Sequence, residues 1–241
     1  MRSREFITES RLLLEGGNMF KDAEDFDQQY ATHIIKIVND ALAPTNISVT
    51  PIGSGATPTP GKISGDFDVM ADEGAVQSYF KVKDAKEARR ALRDYLTQKG
   101  FETAQSGINV HMLVPLPNGK KAQTDIMVTP HAGEISKFHK HNIPLGSKFK
   151  GTHKAILMSV LAKTKGMMWS PWNGLFNRTP DGKRGDLISN NIDVVARTLL
   201  GSHAIGGDLG SVESILAKLP QQKIDELMTL LDADPNWKAI T

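Results

Sequence analysis

Residues 47–71 read ISVTPIGSGATPTPGKISGDFDVMA, and the reading of this stretch decides the fold. Ile47, Val49 and Ile52 suggest a short strand that ends at Gly53-Ser54. A loop of Gly, Pro, Thr and Ala follows, and then a second strand. In that strand Asp66 and Asp68 share one face and Phe67 and Val69 the other, because side chains alternate with period two. Two carboxylates side by side repel unless a cation sits between them or one keeps its proton. Hard divalent ions such as Mg²⁺ take oxygen ligands of this kind, from one or two carboxylates plus substrate phosphates. The local chemistry is that of a metal-bound phosphate site; the plainer alternative is a half-buried strand whose two Asp residues face water. A P-loop is excluded. It needs G-x-x-x-x-G-K-[ST] opening a helix, whereas Gly55 and Gly61 enclose one residue too many, Ile63 stands where the hydroxyl belongs, and GDFDVM after Lys62 is strand-like.

Gly-Ser at a strand end, a short loop, then a strand carrying G-D-x-D resembles the signature of the DNA polymerase beta nucleotidyltransferase superfamily. That family has a third acid in an apolar-Asp-apolar setting, and Asp125 in Gln123-Thr124-Asp125-Ile126-Met127 matches it. The runs ESRLLLEGGNMF, GSGATPTPGKISGDFDV and PNGKKAQTDIMV are also similar to stand-alone nucleotidyltransferase-like proteins of tailed bacteriophages. The resemblance implies an α+β fold, with a mixed β-sheet flanked by helices and a helical C-terminal lobe. It further implies metal-dependent transfer of a nucleoside monophosphate from a nucleoside triphosphate, ATP among the candidates, to an acceptor hydroxyl, with release of pyrophosphate. Two ions, Mg²⁺ or Mn²⁺, would be held by Asp66 and Asp68, with Asp125 beside them completing the ion nearest the acceptor. Gly53 would let backbone approach the triphosphate, Ser54 would donate to a phosphate oxygen, and Lys62 would offset phosphate charge. The loop between Gly53-Ser54 and Gly65-Asp66 is longer than in polymerase-like members and holds Pro58 and Pro60, which leaves the choice of nucleotide open.

The 241 residues suffice for one domain or two packed lobes, and 39% hydrophobic and 23% charged residues are ordinary for a globular protein. No apolar run approaches eighteen residues, so no membrane span is expected. The absence of cysteine excludes disulfides and thiolate metal sites and fits a cytoplasmic protein, in the host cytoplasm if it is a phage protein. A net charge of +2 says nothing by itself about nucleic acid.

Three segments are expected: an arm over 1–21, a catalytic core over 22–130 and a mostly helical lobe over 131–241. Residues 22–42 show apolar side chains at helical spacing from Phe26 to Leu42, with Asp22, Glu24 and Asp25 in the first turn. A second helix is expected over 84–99 and a strand over 108–114. Pro117-Asn118-Gly119-Lys120 reads as a hairpin turn with positive φ at Asn and Gly, and the returning strand, 122–128, carries Asp125. Residues 137–154 then hold Lys137, Lys140, Lys148, Lys150 and Lys154 with His139, His141 and His153 and no acid. This is either a solvated face or a phosphate-facing surface; on the second reading Lys150 and Lys154 bind nucleotide. A zinc site at His139 and His141 is disfavoured for want of a third ligand. Helices are expected over 152–163, 189–200, 211–219 and 221–231, with a hairpin tip at 179–185. The acceptor stays open among an RNA end, a small molecule and a protein hydroxyl. So does the alternative of a nucleic-acid- or partner-binding protein that keeps the fold without the chemistry.

Overall fold

The computed structural model describes residues 19–140, 143–144 and 146–240. Most of the arm expected over 1–21, including its triple leucine and Gly16-Gly17 turn, lies outside the described residues, as does His141. The chain divides into two compact units, one reaching to Ser136 and one running on from Lys137.

The first unit is a five-stranded mixed sheet with helices on one face. Its strands are β2 (Val49–Pro51), β4 (Asp66–Asp72), β5 (Thr103–Ser106), β6 (Asn109–Pro115) and β7 (Lys121–Thr129), in the spatial order β2-β4-β7-β6-β5. Only the central pair, β4 and β7, is parallel. A parallel pair needs a long crossover, and here α2 (Glu73–Phe80), α3 (Ala85–Gln98) and the β5–β6 hairpin supply it. Asp72 and Asp84 cap the two helices by accepting from backbone N–H groups of their first turns. The core lies between α1 (Ala31–Leu42), α3 and one face of the sheet. Ile34, Val38 and Leu42 meet Ala88, Leu92 and Leu96 over Phe67, Val69, Val110, Met112 and Ile126.

The helix expected from residue 22 begins only at Ala31. Phe26–Asp27 forms a short strand, β1, paired with β3 (Ile63–Ser64), and Asp27 instead accepts from Gln29 N–H to start a single 3₁₀ turn. Asp22 and Glu24 do not serve a helix start; they pair at the surface with Lys121 and Lys120. The 117–120 turn joins β6 to β7 as expected, but only Gly119 has positive φ; Asn118 instead accepts from Lys120 N–H through its side chain.

In the second unit the central helix is α5 (Gly151–Thr164), after α4 (Ala132–His139) at the boundary. Ile156, Leu157, Met158, Leu161 and Ala162 are all buried, and a helix apolar on so many sides is enclosed by its neighbours. Around it stand α6 (Ile192–Leu200), α7 (Val212–Leu216), α8 (Gln221–Ala233), α9 (Pro235–Lys238) and an antiparallel sheet. That sheet is β8 (Met167–Ser170), β9 (Gly174–Arg178) and β10 (Arg184–Ser189), with residues 179–183 as the β9–β10 turn. Ser189, expected in a helix, closes β10, and Asn191 caps α6. No helix among the described residues is long and apolar enough to cross a membrane.

Candidate metal centre

The face of the sheet opposite α1 and α3 carries the acids. Alternation along β4 sends Phe67 and Val69 into the core and leaves Asp66 and Asp68 on the other side. In the parallel register Asp68 stands opposite Asp125 and Asp66 opposite Gln123. One carboxylate oxygen from each of Asp66, Asp68 and Asp125 lies within 4.8 Å of the others. Among the described residues this is the one group of three or more acidic, His or Cys side chains so placed.

Their electrostatics match their crowding. Burial, and next the Asp125 charge, push the Asp66 carboxyl above its ordinary value, while a backbone hydrogen bond and His111 pull the other way. Asp68 is raised further, by burial and then by Asp66 and Asp125. No cation from the described residues pairs with Asp66 or Asp68. Three hard oxygen donors in a half-buried pocket, two of them forced toward holding protons, fit a divalent cation of the Mg²⁺ or Mn²⁺ type. The cluster can coordinate one such ion.

Asp125 differs from the other two because it is held. His111, opposite it on β6, places Nδ1 2.8 Å from Asp125 Oδ1. Gln123 Nε2 donates to the same oxygen at 3.0 Å, and Gln123 Oε1 in turn accepts from Met19 N–H at 2.6 Å. With Asp125 ionised, His111 Nδ1 must carry the hydrogen; in the neutral ring Nε2 then accepts from the Ser106 hydroxyl 2.7 Å away. His111, Gln123 and Asp125 are all buried. The two donors converge on Oδ1 and leave Oδ2 for a ligand. Carboxylates that bind metals are commonly oriented in this way by outer hydrogen bonds. Sequence reasoning did not single out His111, Gln123 or Ser106, although His111 stood on the polar side of the alternation in 108–114.

The loop from β2 to β4 is packed against the acids. Gly53 has φ +56°, and a Cβ there would lie 3.3 Å from Asp68 Oδ2. Gly55 sits against the Phe67 ring, where a Cβ would meet Cε2 at 2.8 Å. Glycine at these two positions lets the backbone press onto both faces of β4. Ser54 Oγ lies 3.2 Å from Ser64 Oγ. Buried Gln28 ties the loop down, donating to Ser64 Oγ at 2.8 Å and accepting from Thr59 N–H at 2.9 Å. The Lys62 side chain is exposed on the same loop.

Lys150 and Lys154 belong to the second unit. Lys150 is exposed just before α5, and its N–H donates to His153 Nδ1 at 2.9 Å. Lys154 is buried in the second core. Its ammonium donates to the Phe138 carbonyl and lies 4.1 Å from the centre of the Phe138 ring. Burial pulls its pKa down to about 7. His139 also faces inward, with Nε2 2.7 Å from the Pro171 carbonyl and its ring stacked on Trp172. Comparison with known proteins adds no family, since neither a protein-family model nor a curated sequence matches the chain.

Proposed function

We propose that this protein is a metal-dependent nucleotidyltransferase of the polymerase-beta type, which moves a nucleoside monophosphate from a triphosphate to an acceptor hydroxyl and releases pyrophosphate. The observation that carries the reading is the convergence of Asp66, Asp68 and Asp125 from two parallel strands, with the Gly53-Ser54 turn packed against Asp68. Asp66 and Asp68 would hold two divalent ions, and Asp125 would join them at the ion on the acceptor side. Bound there, the ions supply Lewis-acid stabilisation of the attacking and leaving oxygens and lower the pKa of the acceptor hydroxyl.

The chain's own residues do the rest. Asp125, oriented through Oδ1 by His111 and Gln123, presents Oδ2 to the acceptor side and is placed to draw off the hydroxyl proton. Gly53, with no side chain, admits the triphosphate next to Asp68, and the Ser54 hydroxyl donates to a phosphate oxygen. Lys62, exposed on the β2–β4 loop, is the cation we assign to the phosphate charge; in the second unit Lys150 is exposed and the Lys154 ammonium is engaged with Phe138. The test is transfer of label from each α-labelled nucleoside triphosphate, with Mg²⁺ or Mn²⁺ and total RNA, resolved so that RNA, protein and small molecules separate. Asp66→Asn and Asp68→Asn should each lower transfer by on the order of 10²-fold or more. Equal transfer by parent and variants, or no nucleotide and no metal binding by the parent, sinks the reading.

A further inference from the structure

A second charged feature of the first unit lies at the far edge of the acidic sheet. Helix α3 carries Lys86, Arg89, Arg90 and Arg93, at the i, i+3, i+4, i+7 spacing that puts four side chains on one helix face. With Gln105, Ser106 and Gly107 of the β5–β6 turn they line an open cleft of about 580 Å³ with no acidic residue in its wall. The nearest carboxylates offset the charge only in part. Asp94 is 2.5 Å from Arg93 and 3.9 Å from Arg90, and Glu73 is 3.8 Å from Arg89. Arg89 Nε is buried and has no hydrogen-bond partner, an unmet donor in the wall of a cationic cleft. Such a donor is costly unless an acceptor arrives.

We infer that this cleft binds the phosphodiester backbone of a single-stranded nucleic acid and leads its terminal hydroxyl toward Asp125. Ser106 links the two places, since it lines the cleft and also hydrogen-bonds the His111 that holds Asp125. β5 lies two strands from β7, roughly 10 Å at the usual strand spacing. Because α3 packs on the face opposite the acids, a strand lying in the cleft reaches them by rounding the β5 edge, where Ser106 stands. Three arginines suit phosphate through their planar forks of donors. The inference rests on the proposed reaction for its direction toward Asp125; binding in the cleft does not.

The experiment uses the full chain and a fluorescein-labelled, unstructured single-stranded RNA, with anisotropy read over a series of salt concentrations. Lys86→Gln/Arg90→Gln removes two exposed cations while keeping Arg89 with Glu73 and Arg93 with Asp94. Its affinity should fall fivefold or more at low salt, and the slope of log K against log salt should shrink by about 1.4, for two lost phosphate contacts. Mn²⁺ binding by the same variant, measured by calorimetry, should be unchanged. Unaltered affinity and slope overturn the proposal. So does an equal loss in Lys137→Gln/Lys140→Gln, which would put the RNA on the second unit, or full competition by poly-glutamate at matched charge, which would mark an acidic protein as the partner. RNA binding that depends on the cleft in a parent that neither binds Mn²⁺ nor transfers label would keep this proposal and remove the enzymatic one.

Discussion

Asp68→Asn should stabilise the metal-free protein and destabilise the Mn²⁺-loaded one relative to the parent. The three carboxylate oxygens lie within 4.8 Å of one another. At about that distance, with an effective dielectric of about 20, two unit charges repel by about 3 kcal/mol. Burial and then its two neighbours, Asp66 and Asp125, raise the Asp68 carboxyl, and proton uptake relieves most of the cost. Removing it should gain about 1–3 kcal/mol near pH 8, or about 2–10 °C in Tm. The sign follows from proton counts. A carboxyl raised in the folded state keeps a proton that the unfolded chain has released, so stability falls as pH rises from about 4 through the raised value. The variant's advantage should therefore be small near pH 4 and widen toward pH 8. Saturating Mn²⁺ should reverse the order, because ligand at 100 times Kd adds about 2.7 kcal/mol to a protein that binds it. Thermal melts of both proteins from pH 4 to 8.5, with and without Mn²⁺, test this. A variant less stable than the parent without metal at every pH would mean that the carboxylates do not repel, and one stabilised by Mn²⁺ as much as the parent would mean that Asp68 is not a ligand.

Other perturbations probe the supports of the same site and the second core. His111→Leu removes a donor to Asp125 Oδ1 and should weaken Mn²⁺ binding by about 10-fold or more. His111→Asn, whose amide can stand in for Nδ1–H, should recover most of that; calorimetry on both separates orientation of Asp125 from mere packing. Gly53→Ala meets φ +56° and Asp68 Oδ2 at 3.3 Å, so it should cost about 1–3 kcal/mol and loosen Mn²⁺ binding; an unchanged Tm would contradict the backbone geometry. Lys154, pulled to about 7 in the fold, leaves the native state short of a proton that the unfolded chain holds up to about pH 10.4. Its contribution to stability should therefore rise between pH 7 and 10. Lys154→Met should flatten that rise in urea unfolding curves, and parallel curves for parent and variant would refute the lowering of the Lys154 pKa by burial.

The fold was legible where a segment's pattern answers to its own neighbours and hidden where a distant strand decides. The α3 face, Ala88, Leu92 and Leu96 behind the Asp84 cap, can be read from spacing alone. Phe26 and Tyr30 extend the helical spacing of Ile34 and Val38, yet β3, nearly forty residues on, takes Phe26–Asp27 as a strand partner and delays the helix to Ala31. β5 reads Thr-Ala-Gln-Ser, every residue half-buried, and carries no apolar alternation to announce it. It is a strand because β6 offers it an open edge, and an edge strand can be short and polar. In the second unit Trp169 and Met167 lie in β8 against α5, a placement that their apolar character suggests without fixing the element.

For the site, the carboxylate pair on β4 is a property of one strand and period two reveals it, but Asp125 joins the pair only through the parallel register of β4 and β7. No local pattern encodes a parallel register, so the adjacency rested on resemblance until the geometry supplied it. The partner of Asp125 is a different matter. The turn at 116–120 sets Pro115 opposite Lys121, and four residues further from the turn along each strand His111 must then stand opposite Asp125. Residues directly opposite each other in an antiparallel pair share a face, so His111 lies on the side of Asp125, and Asp125 already lay on the acidic one. The hairpin signal, the alternation and the acid were all present in the letters. Carrying the register back through the turn would have named His111 as the side chain that holds the third carboxylate, which makes His111→Leu the substitution by which the site's dependence on its neighbours is best judged.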